Sequence, residues 1–258
     1  MNTNRTVYIA SKPSNGSWHP LGRLSFIDGH YTFAYVKGIY NQTPITPLPG
    51  MEDLEQVYKS DVLFPFFENR LLSKRRNEYV DFLSWSGFDV KKPSPQPLAI
   101  LSVTEGKKNT DSYEVFPCPT QSNEYGHYEF QFFLHGLNHL TEPTQEAALN
   151  LEQGSKLYMV MDLQNTYNRS AVALRTENKE LIGYLPNYMA NEAYRLLETC
   201  QPDSIEFTVS KINTDAPKNF AILCKLDACW DEGSQPFSDK TFLPISSLVP
   251  EKCNPQAA

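Results

Sequence analysis

The stretch LQNTYNRSAVAL, residues 163–174, decides how the second half of this chain is expected to fold. An apolar run ends here, a polar segment follows over residues 164–169, and a second apolar run begins at once. Two runs rich in β-forming residues around a short polar segment predict two strands joined by a turn. Asparagine suits such a turn because its side chain bonds the nearby backbone. A turn does not require the aromatic ring of Tyr167, so this ring is a candidate for a second role.

Further strand-like segments surround this turn. They lie at 128–137, 156–163, 170–176, 181–186, 205–212 and 220–230. The segment 187–200 instead has apolar residues near helical spacing, with Asn187 as a candidate N-cap. Five or six short strands and one helix within about 110 residues are typical of a small, partly open barrel.

The first half of the chain combines a hairpin with short helices. Asp28-Gly29 lies between two alternating apolar runs, which is a strong hairpin signal. Apolar residues at helical intervals predict helices over 62–72 and 77–87. The segment 93–104 is predicted to be extended.

A break in composition separates the two halves. The segment PCPTQSNEYGH, residues 117–127, contains proline, serine and glycine and has little apolar content. We therefore predict two domains, 1–120 and 121–258. The predicted fold class is α+β, with an N-terminal mixed α/β subdomain followed by a small OB-like β-barrel with one helix.

The charge of the chain is distributed unevenly. Residues 1–118 carry 13 Lys and Arg against 12 Asp and Glu, whereas residues 119–258 carry 10 against 18. An acidic domain is a poor sequence-independent binder of nucleic acid, because neutralising phosphates supplies most of that affinity. Any nucleic-acid site in the second half is therefore expected to be small and local.

The location of the protein is predicted from what its hydropathy pattern lacks. No apolar run approaches the roughly 20 residues that span a bilayer, and the mean hydropathy is -0.45. The first residues lack the basic region and apolar block of a signal peptide. A cytoplasmic protein without a membrane partner is expected.

No catalytic or metal-binding pattern stands out. The five cysteines are scattered without paired spacing, so free thiols are expected rather than a zinc site. No phosphate-cradling loop, nucleophile elbow or metalloprotease motif is present. We expect neither a cofactor nor enzymatic activity.

Taken in order, the segments of the second half resemble the HIRAN domain family over residues 125–230. The resemblance is carried by FLHGLNH (133–139), LQNTYNRSAVAL (163–174), LIGYLP (181–186) and NFAILCKL (219–226). It implies a β-barrel related to the OB-fold, a module that occurs fused to remodelling helicases and also alone in bacteria. It also implies a grip on the 3′-hydroxyl end of single-stranded DNA by aromatic stacking, with a carboxylate or amides near the terminal nucleotide.

Matched motif by motif, the resemblance implies a DNA-binding pocket. Its residues would be Asn138, His139, Gln164, Asn165, Tyr167, Asn168, Tyr184 and Phe220. A base stacked on a ring contributes about 1–3 kcal/mol, so few nucleotides and few positive charges are needed. The family usually has Pro and Asp beside the turn tyrosine, where this chain has Thr166 and Asn168. An asparagine can still bond a hydroxyl, but without the strength of a carboxylate.

The first half resembles the N-terminal subdomain of HipA-type kinases over residues 5–90. The segments that carry this are LGRLSFIDGHYTFAYV (21–36) and LFPFFENRLL (63–72). The resemblance implies a non-catalytic piece that docks a protein partner, kinase-like or helicase-like. In some tripartite toxin–antitoxin systems such a subdomain is a separate chain that restrains the kinase. No kinase motif follows it in this chain.

Two features admit more than one interpretation. Tyr167 either folds back as a lid on its own barrel or stacks on a ligand. The most basic run of the chain contains Arg70, Lys74, Arg75 and Arg76. It is either a solvated helix end, a phosphate-contacting patch or a surface that faces a protein partner.

The sequence as a whole predicts a non-enzymatic binding protein. Its HIRAN-like domain would recognise single-stranded DNA or a DNA 3′ end while its N-terminal domain docks a protein partner. The alternative is a regulatory or antitoxin-like subunit of a bacterial toxin–antitoxin or phage-defence complex that acts by protein–protein interaction.

Overall fold

The computed structural model describes residues 6–11, 18–121, 126–168, 170–230 and 235–251. The strands are β1 (Thr6–Ser11), β2 (His19–Ile27), β3 (His30–Tyr35), β4 (Tyr58–Ser60), β5 (Tyr113–Pro117), β6 (Thr120–Gln121), β7 (His127–Phe133), β8 (Lys156–Met161), β9 (Val172–Arg175), β10 (Leu181–Tyr184), β11 (Ile205–Ile212) and β12 (Ile222–Cys229). The helices are α1 (Pro65–Glu68), α2 (Tyr79–Trp85), α3 (Pro97–Thr104), α4 (Glu142–Leu149) and α5 (Asn187–Thr199).

These elements form two compact units whose sequence segments interleave. Unit 1 takes the described residues of Met1–Tyr79, Ser94–Thr120 and Pro236–Ala258, and unit 2 takes those of Val80–Pro93 and Gln121–Gln235. The division predicted from the sequence instead has two consecutive segments that meet at residue 120. Compared with that prediction, residues 80–93 belong to unit 2 and not to the first domain. The described residues of 236–258 belong to unit 1 and not to the second domain.

Unit 1 is built on a five-stranded antiparallel sheet in the order β4-β3-β2-β1-β5. The predicted hairpin is confirmed, because β2 and β3 pair directly around Asp28 and Gly29. Both turn residues have positive φ, 52° and 84°. This is the turn geometry whose twist matches the twist of the flanking strands.

The core of unit 1 contains a helix where an extended segment was predicted. Every residue of α3 from Leu98 to Thr104 is buried, and Pro97 occupies the first turn. A helix that is buried all round has no polar face, so its sequence shows no helical period and its length overlaps that of a strand. The hydroxyls of Ser102 and Thr104 donate to backbone carbonyls one turn earlier, which satisfies them inside the core.

The basic run of unit 1 divides into one buried cation and three exposed ones. Arg70 is only 8% exposed, and its guanidinium donates to both carboxylate oxygens of Asp111, at 3.2 and 2.6 Å. It also lies over the ring of Phe66, 4.4 Å from the centroid. The assignment of Arg70 to a surface patch is therefore wrong, because its charge is neutralised inside the unit.

The remaining cations of this run, Lys74, Arg75 and Arg76, are exposed. They do not lie at a helix end, because α1 stops at Glu68 and α2 begins at Tyr79. The solvated-helix-end interpretation is therefore wrong for them as well. The phosphate and partner interpretations of the three remain predictions.

Unit 2 contains a seven-stranded curled sheet in the order β10-β9-β8-β11-β12-β7-β6. Neighbouring strands from β10 to β7 run antiparallel. The predicted OB-like barrel is thus confirmed, with β11 falling at the predicted residues 205–212. One element was missed, because α4 adds a second helix beside α5.

The barrel closes through a short bridge between its two ends. His135, two residues beyond β7, and Tyr184, the last residue of β10, each donate a backbone N–H to the carbonyl of the other at 2.9 Å. Gly183 permits this approach, because a Cβ there would lie 2.6 Å from the His135 carbonyl oxygen. The register between β9 and β10 also shifts here, between Leu181 and Gly183.

Helix α5 begins where the sequence predicted a helix. Its apolar face is buried through Tyr188, Met189, Ala193 and Leu196, which accounts for the spacing of these residues. The N-cap position is Pro186 rather than Asn187, because residue 187 already has helical geometry.

The cysteines do not all behave as predicted. Cys118 is disulfide-bonded and not a free thiol, whereas Cys200, Cys224 and Cys229 are free. Among the described residues, no group of three or more His, Cys, Asp or Glu side chains is placed to hold a metal ion. In the same part of the chain, no helix has both the length and the apolar character needed to cross a membrane.

Candidate nucleic-acid interface

Barrel closure brings three segments together at one end of unit 2. They are the 3₁₀ turn at Leu137–His139, residues 162–168 of the loop that follows β8, and Tyr184 at the end of β10. The backbone bridge to His135 ties Tyr184 to the first segment. The Tyr184 hydroxyl ties it to the second, because it donates to Asp162 Oδ2 at 3.0 Å.

Asp162 organises the start of the loop and was not predicted as a site residue. Its Oδ2 also accepts from the Nδ2 of Asn165 at 2.9 Å, so one carboxylate oxygen joins the loop to Tyr184. Hydrogen bonds to a charged acceptor are stronger than those between neutral groups. The sequence signal was present, since Asp162 is the polar residue that ends an apolar strand, but its partner is 22 residues away.

The two asparagines of the loop hold its backbone. Asn165 Oδ1 accepts from the N–H groups of both Tyr167 and Asn168, each at 3.0 Å. Asn168 Oδ1 accepts from Ser170 N at 3.0 Å, and its Nδ2 donates to the side chain of Asn187 at 2.9 Å. Turn chemistry therefore accounts for both amides. Asn187, predicted as a cap, instead anchors the loop to α5.

Tyr167 projects from this braced loop into solvent. Its side chain is 89% exposed, so the interpretation as a lid on the barrel is wrong. Gln164 is exposed as well. The ring thus sits on a backbone that neighbouring amides hold in place, and an exposed ring of this kind can stack on a base.

The 3₁₀ turn brings Asn138 and His139 beside Tyr184. Gly136 precedes them with φ at 78°, and a Cβ there would lie 2.9 Å from Cδ2 of the Tyr184 ring. Both Asn138 and His139 are exposed. The close approach of Gly136 to the Tyr184 ring therefore places the turn that carries this amide and imidazole next to the phenol.

Phe220 has a structural role that limits its part in any interface. Its ring packs edge-on against Phe82 and Phe133, with centroids 5.5 and 5.0 Å apart. Two residues earlier, Lys218 Nζ donates to the side chain of Gln145, which in turn donates to Leu140 O at 2.7 Å. Lys218 is a cation that sequence reasoning missed, held next to the 3₁₀ turn by a neutral partner.

The environment of Tyr184 keeps its hydroxyl protonated. Burial raises the pKa of Tyr184, and the hydrogen bond to Asp162 and the charge of that carboxylate raise it further. The phenol therefore stays a hydrogen-bond donor to the carboxylate at neutral pH. The site thus offers a fixed neutral ring beside the Asp162 carboxylate, a braced exposed ring, and the uncharged amides around them.

Comparison with known proteins places this module in a recognised domain family. The HIRAN domain model matches residues 127–229, from the first residue of β7 to the last residue of β12. The HIRAN resemblance drawn over residues 125–230 is thereby confirmed. The resemblance of residues 5–90 to HipA-type kinases stays a prediction.

Solved structures similar to the chain include HIRAN domains. The crystal structure of the HIRAN domain of human HLTF is 16% identical, covers 40% of this chain and 77% of that one, and gives a TM-score of 0.32. A protein from Lactobacillus plantarum is 14% identical over 41% of this chain and 99% of that one, with a TM-score of 0.30. The solution structure of the HLTF HIRAN domain in its DNA-bound conformation is 15% identical over 42% and 78%, with a TM-score of 0.28. No curated protein matches the chain.

Proposed function

We propose that the HIRAN module of this chain binds single-stranded DNA at a free end and that it does so without catalysis. The observation that carries the proposal is the 89% exposed ring of Tyr167 on a loop braced by Asp162 and Asn165. The family match over residues 127–229 supports it. So does the existence of the HLTF HIRAN domain in a DNA-bound conformation.

The chemistry of the site suits a terminal nucleotide. A base that stacks on Tyr167 gains about 1–3 kcal/mol without regard to sequence. The exposed amides of Gln164 and Asn138 provide donors and acceptors for a base edge or a terminal hydroxyl. Because a DNA end exposes one face of its last base and a free hydroxyl, it fits these groups better than the middle of a duplex does.

The polar groups of the site favour binding over catalysis. Asp162 accepts two side-chain hydrogen bonds, and the side chains of Asn165 and Asn168 bond the loop backbone. These groups hold the shape of the loop, while the Tyr167 ring and the Gln164 amide stay exposed. A ring held in place by hydrogen-bonded amides is suited to binding, because its position is fixed before the ligand arrives.

Unit 1 is assigned partner docking under the same proposal. Its support is the run of exposed cations Lys74, Arg75 and Arg76, which can face an acidic protein surface. Reversing the three charges is expected to abolish co-purification with a kinase-like or helicase-like product of a neighbouring gene. Unchanged co-purification would remove this assignment without touching the DNA-binding one.

The proposal is tested by fluorescence anisotropy with short single-stranded oligonucleotides whose 3′ end is free or blocked by phosphate. We expect micromolar binding at low salt and weaker binding to the blocked end. Tyr167→Ala is expected to lose about 1–3 kcal/mol of binding free energy, because the stacking surface is removed. Tyr40→Ala, which removes a half-exposed tyrosine from unit 1, is the matched control and is expected to bind normally.

Two outcomes would contradict this reasoning. The absence of micromolar binding to either oligonucleotide at low salt removes the proposed function. Normal binding by a folded Tyr167→Ala variant removes the role of the ring. Circular dichroism of both variants shows whether the fold is intact.

A further inference from the structure

We propose that the outer face of β8 and β9 is a second nucleotide-binding surface, which holds the DNA strand upstream of its bound end. Its residues are Tyr158, Val160 and Arg175, here called the β8–β9 strip. The inference rests on the proposed function, since it extends the same bound strand. It adds a binding surface to that site and predicts the length of DNA that the module prefers.

Strand register places the strip on the same sheet face as Tyr184. Tyr184 pairs with Ala173, and Ala173 pairs with Val160. Directly paired residues of neighbouring strands project to the same face of a sheet. Tyr158 pairs with Arg175. Tyr158 lies two positions from Val160 on β8, and Arg175 lies two positions from Ala173 on β9. The side-chain period of two therefore puts them on this face as well.

The part of this face that β8 contributes is open to solvent. Tyr158 and Val160 are each 38% exposed, whereas Ala173 is buried between Val160 and Tyr184, and Leu174, on the opposite face of β9, is also buried. Asp162 continues the alternation of Tyr158 and Val160 and binds the Tyr184 hydroxyl. The strip is thus continuous with the proposed site for the DNA end.

Arg175 gives the strip the chemistry of a nucleic-acid contact. Its guanidinium carbon lies 4.7 Å from the centroid of the Tyr158 ring, and its Nη1 donates to Thr176 O at 2.8 Å. Within the described part of the chain Arg175 has no carboxylate partner. A guanidinium stacked on a ring presents both a flat surface for a base and a positive charge for a phosphate. This charge stands out, because residues 119–258 carry 18 Asp and Glu against 10 Lys and Arg.

The dimensions favour a single strand of several nucleotides. Tyr158 and Asp162 are four positions apart, about 13 Å along a strand that rises about 3.3 Å per residue. A stacked strand advances about 3.4 Å per nucleotide, so the strip accommodates about four nucleotides beyond the end, and fewer if the strand is stretched. A duplex keeps its bases stacked inside and offers none to Tyr158. The occupant is therefore single-stranded DNA.

The test is the dependence of affinity on oligonucleotide length. Single strands of two, four, six and eight nucleotides with a free 3′ end are titrated into the full chain and followed by anisotropy or competition. Four variants are compared with wild type: Tyr158→Ala, Arg175→Gln, and the controls Tyr40→Ala and Lys59→Gln in unit 1. The controls remove the same groups, a tyrosine ring and an exposed positive charge, outside the module.

We expect the wild-type affinity to rise about 10-fold between two and six nucleotides. Tyr158→Ala and Arg175→Gln are expected to abolish most of this rise while binding the dinucleotide as wild type does, which also shows that they fold. Arg175→Gln is further expected to reduce the slope of log affinity against log salt by about 0.7, the value for one contact to a single-strand phosphate.

Each other outcome identifies which idea fails. Dinucleotide binding with no length dependence in wild type overturns the strip and leaves the proposed function intact. Equal losses at every length in the two variants also overturn it, because the effect is then on the module as a whole. A blunt duplex that binds as tightly as the single strand and depends on Arg175 overturns the commitment to single-stranded DNA. No binding at any length overturns the proposed function itself.

Discussion

Removing the Asp162 carboxylate tests whether the loop must be braced before it can bind. In Asp162→Ala, the Tyr184 hydroxyl and the Nδ2 of Asn165 both lose their acceptor. A hydrogen bond to a charged group contributes about 1.5–3 kcal/mol where water is excluded. Asp162 and Tyr184 are only partly buried, so hydrogen bonds to water offset part of this loss in the variant. We expect the free energy of unfolding to fall by about 1–2 kcal/mol in total.

The same substitution has two opposing effects on DNA binding. Freeing the loop means that its side chains must be ordered on binding, at about 0.5–1.5 kcal/mol for each one immobilised. Removing a negative charge near a phosphate relieves at most about 1 kcal/mol at 4 Å in water, and less with screening by salt. We therefore expect the loss of order to dominate and the affinity to fall about 2- to 10-fold, a range that corresponds to the ordering cost.

Urea unfolding and anisotropy on the same variants measure the two quantities. Asp162→Asn keeps one acceptor oxygen and is expected to fall between wild type and Asp162→Ala in both assays. Asp162→Ala combined with Tyr184→Phe in a double-mutant cycle should show a coupling energy above about 0.5 kcal/mol, since each substitution removes the hydrogen bond that the two side chains share. Tighter DNA binding by Asp162→Ala would refute the reasoning, because repulsion would then outweigh loop order.

Three further changes test other parts of the structure. Gly183→Ala would set a Cβ 2.6 Å from the His135 carbonyl oxygen, and we expect urea unfolding to show a loss of about 1–3 kcal/mol from overpacking. An unchanged urea midpoint would contradict this account of barrel closure. Arg70→Ala leaves Asp111 without the partner that it binds through two hydrogen bonds; we expect a loss of up to about 3–5 kcal/mol, whereas alanine at the exposed cations that follow should stay within about 0.5 kcal/mol of wild type. Burial and the neighbouring carboxylate raise the pKa of Tyr184, so folding favours its neutral form. This contribution to stability is fully present below about pH 10, the ordinary tyrosine value, and is lost as pH rises through the folded-state pKa. Absorbance titration against Tyr184→Phe should show the missing phenol ionising above that value, and ionisation at or below it would contradict the assignment.

The parts of the fold that the sequence predicted are those with local signals. The turn at Asp28-Gly29 needs two adjacent residues that tolerate positive φ, and both the sequence and the structure show them. Strand β11 and helix α5 alternate or repeat their apolar residues with the period of their own geometry. Helix α3 was not predicted, because a helix that is buried on every side has no polar face and its sequence shows no helical period.

The site was predicted less completely because its bonds join distant parts of the chain. Arg70 was taken as a surface cation, since nothing near it shows that its carboxylate partner is 41 residues away. Asp162 was overlooked for the same reason, because its role depends on Tyr184. The loop asparagines were recognised, since their partners are their own neighbours. Hydrogen bonds within a turn can therefore be predicted from the sequence. The polar group that braces the turn cannot, because it meets its partner only when the barrel closes.

The acidic charge of the second half decides how such a site must work. Non-specific DNA binders draw most of their affinity from phosphate neutralisation, and that affinity falls steeply with salt. Residues 119–258 carry 18 acidic against 10 basic side chains, so this source is largely closed to the module. Stacking on Tyr167 does not draw on phosphate neutralisation, which is the source of the salt dependence, and so it does not require a net positive charge. An exposed ring on a braced turn lets an acidic barrel bind DNA without many positive charges. This gives a reason for an aromatic residue between amides, which could have made the turn alone. It follows that the affinity for a dinucleotide with a free end should be nearly independent of salt. If log affinity for the dinucleotide falls with log salt as steeply as it does for a basic groove, positively charged side chains, and not the ring, hold the DNA.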